Sequence, residues 1–130
     1  MTNMERLERI VAKLPEAERV DIEAWGGEPT FRVRNKNFVF TDHPVSRMSV
    51  KLPVEEAAAV VATDPDAQPT AYGLGRHGWV SVVVGRANAA RWELVEEWVR
   101  TSYTLVAPKS LAKIVLAHDD SGPTRSARRS

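Results

Sequence analysis

Cysteine is absent from this chain of 130 residues. No disulfide, thiolate metal centre or cysteine nucleophile can form, and the lack fits a reducing cytoplasm. Long hydrophobic runs are missing too: aliphatic stretches extend over a few residues, far short of the roughly 20 that a membrane-spanning helix needs. The opening MTNMERLERIVAKLPEAE carries charge throughout, so it is not expected to act as a signal peptide. Nor is one sign of charge in excess. Lys and Arg number 18 against 17 Asp and Glu, a net charge of +1 that by itself predicts no partner. The expectation is a cytoplasmic protein without membrane contact, monomeric or weakly dimeric.

What is present is the balance of a globular domain, with 43% hydrophobic and 27% charged residues. A chain of this size buries roughly two thirds of its unfolded surface and folds without staples. One domain is expected over residues 1–116. Residues 117–130, ending in HDDSGPTRSARRS, lack large apolar side chains and read as a disordered basic tail.

Periodicity orders the elements. Thr2 or Asn3 caps a first helix in which Met4, Leu7, Ile10, Val11 and Leu14 recur at helical spacing until Pro15. Arg19 to Trp25 reads as a short edge strand. Phe31 and Val33 alternate with Arg32 and Arg34, Asn35-Lys36 supplies a hairpin turn, and Phe38 to Thr41 returns. Met48, Val50 and Leu52 then alternate with Arg47, Ser49 and Lys51. Pro53 opens a helix over Val54–Thr63, which Asp64-Pro65-Asp66 stops. Gln68 to Tyr72 is a short extended piece and Gly78 to Val84 a β-branched strand. Asn88 caps a long helix to Val106 whose apolar stripe is Trp92, Val95, Val99 and Tyr103, with Ser102-Tyr103 expected to lock it to the sheet. Ala107-Pro108 breaks it, and Lys109 to Leu116 forms a last helix with Leu111, Ile114 and Val115 inward. The fold class is α+β: an antiparallel sheet with helices packed on one face.

The stretch AYGLGRHGWVSVVV contains Gly73, Gly75 and Gly78 in the spacing of a dinucleotide-binding loop. That loop works because a helix N-terminus follows it and faces the pyrophosphate. Here a strand follows, so the glycines are read as turn formers that let Arg76 and His77 project while Trp79 anchors the loop.

AYGLGRHGWV also strongly resembles the signature of the MmcQ/YjbR family. LPEAE at 14–18, EPTFRVRNKNFVF at 28–40, VKLPVEEAAAVV at 50–61 and SYTLVAPKSL at 102–111 agree with it in order. Where the family often has Gly-Lys at the first hairpin turn, this chain has Asn35-Lys36, which keeps the lysine. The resemblance implies a CyaY-like, that is frataxin-like, α/β sandwich. Proteins of this kind are commonly described as DNA-binding, by analogy with a double-wing arrangement of hairpins.

The residues offer a surface for that activity. Between Thr30 and Lys51 stand five basic residues, Arg32, Arg34, Lys36, Arg47 and Lys51, and one acidic, Asp42. If the strands carrying them are neighbours, Arg32, Arg34, Arg47 and Lys51 face solvent together, Lys36 extends the patch at the hairpin tip, and Arg76 and His77 add to it. Such cations meet phosphates; no helix rich in Arg, Asn and Gln reads bases, so sequence specificity is expected to be weak. A solvated sheet face must carry polar side chains in any case, which is the competing explanation. The other functional alternative is a frataxin-like protein-interaction or scaffold module.

Metal binding and catalysis are not expected. Glu5, Glu8, Glu16, Glu18, Asp21 and Glu23 supply no clustered oxygen site, because Arg6, Arg9, Lys13 and Arg19 are interleaved with them. His77 is the one histidine in a suggestive loop, and Ser81 lacks the glycine pattern of a nucleophile elbow. Glu96 and Glu97 diverge by about 100° on a helix. No cofactor is implied.

Overall fold

The computed structural model describes residues 1–120. Helix α1 (Asn3–Ala12) starts in a capping box: Thr2 Oγ1 accepts from the Glu5 amide, and the Glu5 side chain accepts from the Thr2 amide. Four strands follow, β1 (Glu18–Ile22), β2 (Glu28–Val33), β3 (Lys36–Thr41) and β4 (Arg47–Lys51). Then come α2 (Val54–Thr63), β5 (Ala67–Pro69), β6 (Trp79–Val83), α3 (Ala89–Val106) and α4 (Lys109–Asp120). Asn88 Oδ1 caps α3 by accepting from the Arg91 amide at 2.8 Å. The last helix runs four residues past its expected end at Leu116, and residues 121–130 of the expected tail lie outside the described residues.

The strands form one six-stranded antiparallel sheet in the order β1-β2-β3-β4-β6-β5. Phe31, Val39, Val50 and Val80 pair in one row across β2, β3, β4 and β6 and are all buried. They share a single core with Leu7, Ile10 and Val11 of α1, Ala57 of α2, Val95, Val99 and Tyr103 of α3, and Leu111 and Val115 of α4. All four helices therefore cover one face of an α+β sandwich, and the alternate residues line an open face. Ile114, expected inward, is 55% exposed: Leu111 and Val115 already fill the stripe that α4 turns to α3.

The first hairpin departs from expectation. Phe31 pairs with Val39 but Arg32 pairs with Asn37, which leaves Phe38 as an extra residue on β3. This bulge puts both Phe38 and Val39 in the core and shifts the pairing by one. The turn therefore closes on Arg34-Asn35 and not on Asn35-Lys36. Both turn residues have positive φ, 50° and 67°, the geometry that matches strand twist and that asparagine tolerates.

Asp64, just past α2, pairs with Arg91 in the first turn of α3, and the Arg91 guanidinium lies 5.1 Å from the centre of the Trp98 ring. The hydrogen bond from Arg91 holds the Asp64 carboxyl below its ordinary value, against the opposing effect of burial. A depressed carboxylate adds stability above its unfolded pKa of about 3.9 and loses it as pH falls through the folded value. The urea midpoint is thus expected to fall as pH drops below about 4, and less steeply in Asp64→Asn. Equal acid limbs for the two proteins would show that this pair contributes nothing.

Candidate nucleic-acid interface

Strand pairing decides where each expected cation sits. Thr30, Phe40, Ser49 and Ser81 form a row across the open face, followed outward by Gln68 on β5. Hydroxyls join its members: Ser49 Oγ and Ser81 Oγ are 2.7 Å apart, and Thr70 Oγ1 lies 3.0 Å from Ser81 Oγ. Residues two positions away share this face, so Arg32, Arg47 and Lys51 all stand on the open side of the sheet. The alternation correctly placed these three.

Arg34 does not join them. It lies beyond the end of β2, in the turn, and its guanidinium makes a two-pronged contact with Glu16, with Nε at 2.5 Å and Nη2 at 2.9 Å from the carboxylate oxygens. That hydrogen bonding keeps the Glu16 carboxyl below its usual value. The expectation that Arg34 faces solvent with Arg32 is therefore corrected: the turn rotates it off the strand face, and a carboxylate 18 positions earlier takes it up. Lys36 is likewise not at the turn but opens β3. Its partner is the buried Val33, which turns it toward the helix side of the hairpin, where it remains exposed.

Arg47 and Lys51 sit at opposite ends of β4, separated by about 13 Å at the rise of a strand. Their surroundings differ in charge. Arg47 borders a hollow of about 280 Å³ that Glu28 and Asp42 also line, and a second that contains Asp66. Lys51 pairs with Trp79 at the start of β6. Because the strands are antiparallel, β3 begins where β4 ends and β6 begins. The β2–β3 turn, Lys51 and the 70–78 loop consequently project from one end of the sheet, with β3 and β6 about 10 Å apart. Arg32 is at that end too, its Nε donating to Asn37 Oδ1 at 2.7 Å and Glu18 opposite it on β1. Glu55 and Glu56 follow in the first turn of α2, in the helix layer. Among the described residues, no carboxylate lies within ion-pair distance of Lys36, Lys51, Arg76 or Arg47.

The 70–78 loop contains a 3-10 turn, Leu74–His77, that carries Arg76 and His77. It leads into strand β6 and not into a helix, so the glycines serve the turn and cradle no pyrophosphate. Trp79 is nearly buried on the open face, its ring 5.0 Å from that of Phe40. Tyr72, which follows the short extended piece, is 100% exposed. An aromatic residue ordinarily signals core, and only its position directly before Gly73 hinted at display on a turn. Among the described residues no group of three or more carboxylate or imidazole side chains is placed to hold a metal ion, and Arg19 bridges Glu8 and Asp21 within the acidic N-terminal region. No helix among them is long and apolar enough to cross a membrane.

Comparison with known proteins supplies the family. A family model described as YjbR matches residues 12–105. The crystal structure of the Deinococcus radiodurans protein DR2400, whose domain is designated DUF419, has a TM-score of 0.68 and 24% sequence identity to this chain, over 88% of each. That likeness shows the shared fold. No curated protein matches.

Proposed function

The chain belongs to the YjbR family, and on that premise we propose that it is a non-enzymatic DNA-binding protein of low sequence specificity that meets phosphates with the hairpin end of its sheet. One observation carries this reading: Lys36, Lys51 and Arg76 converge on that end without carboxylate partners among the described residues. Long unpaired cations distributed over about 10 Å suit successive phosphates. Arg32 stands beside them as a fourth contact, and the exposed His77 borders them. Arg34 joins only by exchanging Glu16 for a phosphate, which an exposed ion pair permits at little cost. Arg47 is left out, because Glu28, Asp42 and Asp66 surround its end of the sheet and repel a polyanion. Low specificity follows from contacts to the backbone rather than to base edges. A non-enzymatic role is consistent with His77, which has no hydroxyl or carboxylate partner among the described residues.

Binding to a labelled duplex, followed against salt, tests the reading. Four phosphate contacts predict a log–log slope of about −3.6. The double change Lys51→Glu with Arg76→Glu should flatten the slope by about 2, while Arg47→Glu should leave it unchanged. Undetectable binding at about 50 mM salt, or equal sensitivity to the Arg47 change, overturns the proposal. The first result would leave a protein-interaction role, which the apolar groove of about 370 Å³ between α2 and β6 favours.

A further inference from the structure

Tyr72 is the most exposed large hydrophobic residue described, at 100%, and it occupies a backbone conformation that tyrosine rarely adopts, with φ 62°. Neither feature helps the fold. The ring has no hydrogen bond or ring contact among the described residues, and left-handed backbone is unfavourable for a bulky residue. The loop beneath it is nonetheless firmly braced. Thr70 donates its amide to Trp79 O at 3.1 Å, Gly75 to Thr70 O at 3.1 Å, and Gly78 to Gly75 O at 3.2 Å. Gly75 packs so tightly on Pro69 that an added Cβ would stand 2.7 Å from the proline Cβ. A rigid platform thus holds a free aromatic ring outward.

Its neighbours within the loop carry one charge sign. From Thr70 to Trp79 there is no acidic residue, while Arg76 folds back so that its Nη2 lies beside Gly73, next to the tyrosine. Lys51 is at the same end of the sheet. An exposed ring flanked by cations is the arrangement that stacks a nucleobase while neighbouring ammonium and guanidinium groups take the phosphates. A base is available for stacking only where it is unpaired.

We propose that Tyr72 stacks on an unpaired base, so that this protein prefers single-stranded to duplex DNA. The inference rests on the phosphate-binding reading above and adds the strand type and the residue that selects it. Because the loop is braced, the backbone that carries the ring loses little freedom on binding, and the contact with the base rests on one side chain.

The test is anisotropy titration of a labelled oligo-dT strand and a duplex of equal length, for the full chain and for Tyr72→Ala, Tyr72→Trp and Tyr72→Gly. The wild type should bind the single strand more tightly. Tyr72→Ala should lose about tenfold on the single strand and be nearly unchanged on the duplex, with Tyr72→Trp retaining the preference. Tyr72→Gly should bind like the alanine variant with a melting temperature equal to or above the wild type, which separates stacking from folding. Two results overturn the stacking role while sparing the phosphate reading: equal affinity for both strands, or equal loss on both in Tyr72→Ala. Binding to neither probe overturns both. Binding that requires a protein partner, with Tyr72 as its anchor, would count against the proposal as well.

Discussion

Replacing Ser102 by alanine is expected to destabilise the protein by about 2–5 kcal/mol, because one hydroxyl serves two buried backbone groups. Ser102 is fully buried on α3. Its Oγ donates to the Phe38 carbonyl at 2.6 Å and accepts from the Lys51 amide at 2.8 Å. Those two groups belong to neighbouring strands and would extend the β3–β4 ladder beyond the Val39–Val50 pair if β3 were regular. The bulge at Phe38 parts them, and the serine fills the gap from the helix layer. Alanine leaves a carbonyl and an amide without partners in the core, each costing about 1–3 kcal/mol. For a domain of this size the melting temperature should drop by roughly 10 °C or more. Thr104→Ala, which removes only a hydroxyl bonded to Thr101 O on the same helix, should change it little. A Ser102→Ala protein melting within about 2 °C of the wild type would show that the strands close the gap themselves.

The same serine marks the boundary of what the chain displayed before folding. Helices α2 and α3 were legible, since Pro53 and Asn88 start them and Asp64-Pro65 and Ala107-Pro108 stop them close to where they end. Each signal acts within a turn of the residue it governs. That Ser102-Tyr103 fastens α3 to the sheet was also legible, and the Tyr103 ring does meet Phe38 edge-on at 5.4 Å while its hydroxyl donates to Pro15 O. The bulge was not legible. Phe38 and Val39 are both apolar, and only the contact with a helix about 60 residues later decides that both face inward.

The candidate site divides along the same line. Alternation within β2 and β4 gives the face of a side chain, so Arg32, Arg47 and Lys51 were placed correctly. It says nothing about position along the strand, and position sets the charge environment: Glu28, Asp42 and Asp66 line the hollows beside Arg47, whereas Lys36, Lys51 and Arg76 share the other end with Glu18, Glu55 and Glu56 without an ion pair to any of them. Nor does it continue through a turn, where Arg34 meets Glu16. Tyr72 escaped for a different reason. Its role as a displayed ring depends on backbone held in place by Thr70, Gly75 and Trp79, a local geometry that composition does not encode.

Gly78→Ala is expected to cost more than any other glycine replacement in the loop. Gly78 has φ 91°, and a Cβ added there would lie 2.0 Å from the Leu52 carbonyl oxygen. The obstacle is backbone, and it is anchored: the Leu52 amide donates to Gly78 O at 2.9 Å, and the Leu52 side chain is buried. Relief requires the end of β4 to separate from the start of β6, taking the first turn of α2 with it. The positive φ contributes about 1–3 kcal/mol, and the forced separation adds about 1–3 kcal/mol or more. Their sum is a large share of the roughly 5–15 kcal/mol that stabilises an ordinary domain. Gly73→Ala shares the positive φ, 78°, but its Cβ meets only the tip of the flexible Arg76 side chain at 3.3 Å, so its cost should stay near about 1 kcal/mol. Urea midpoints of the two variants check the ordering. Equal midpoints would mean that Leu52 yields freely, and Lys51, one residue before it, would then have no fixed position from which to meet a phosphate.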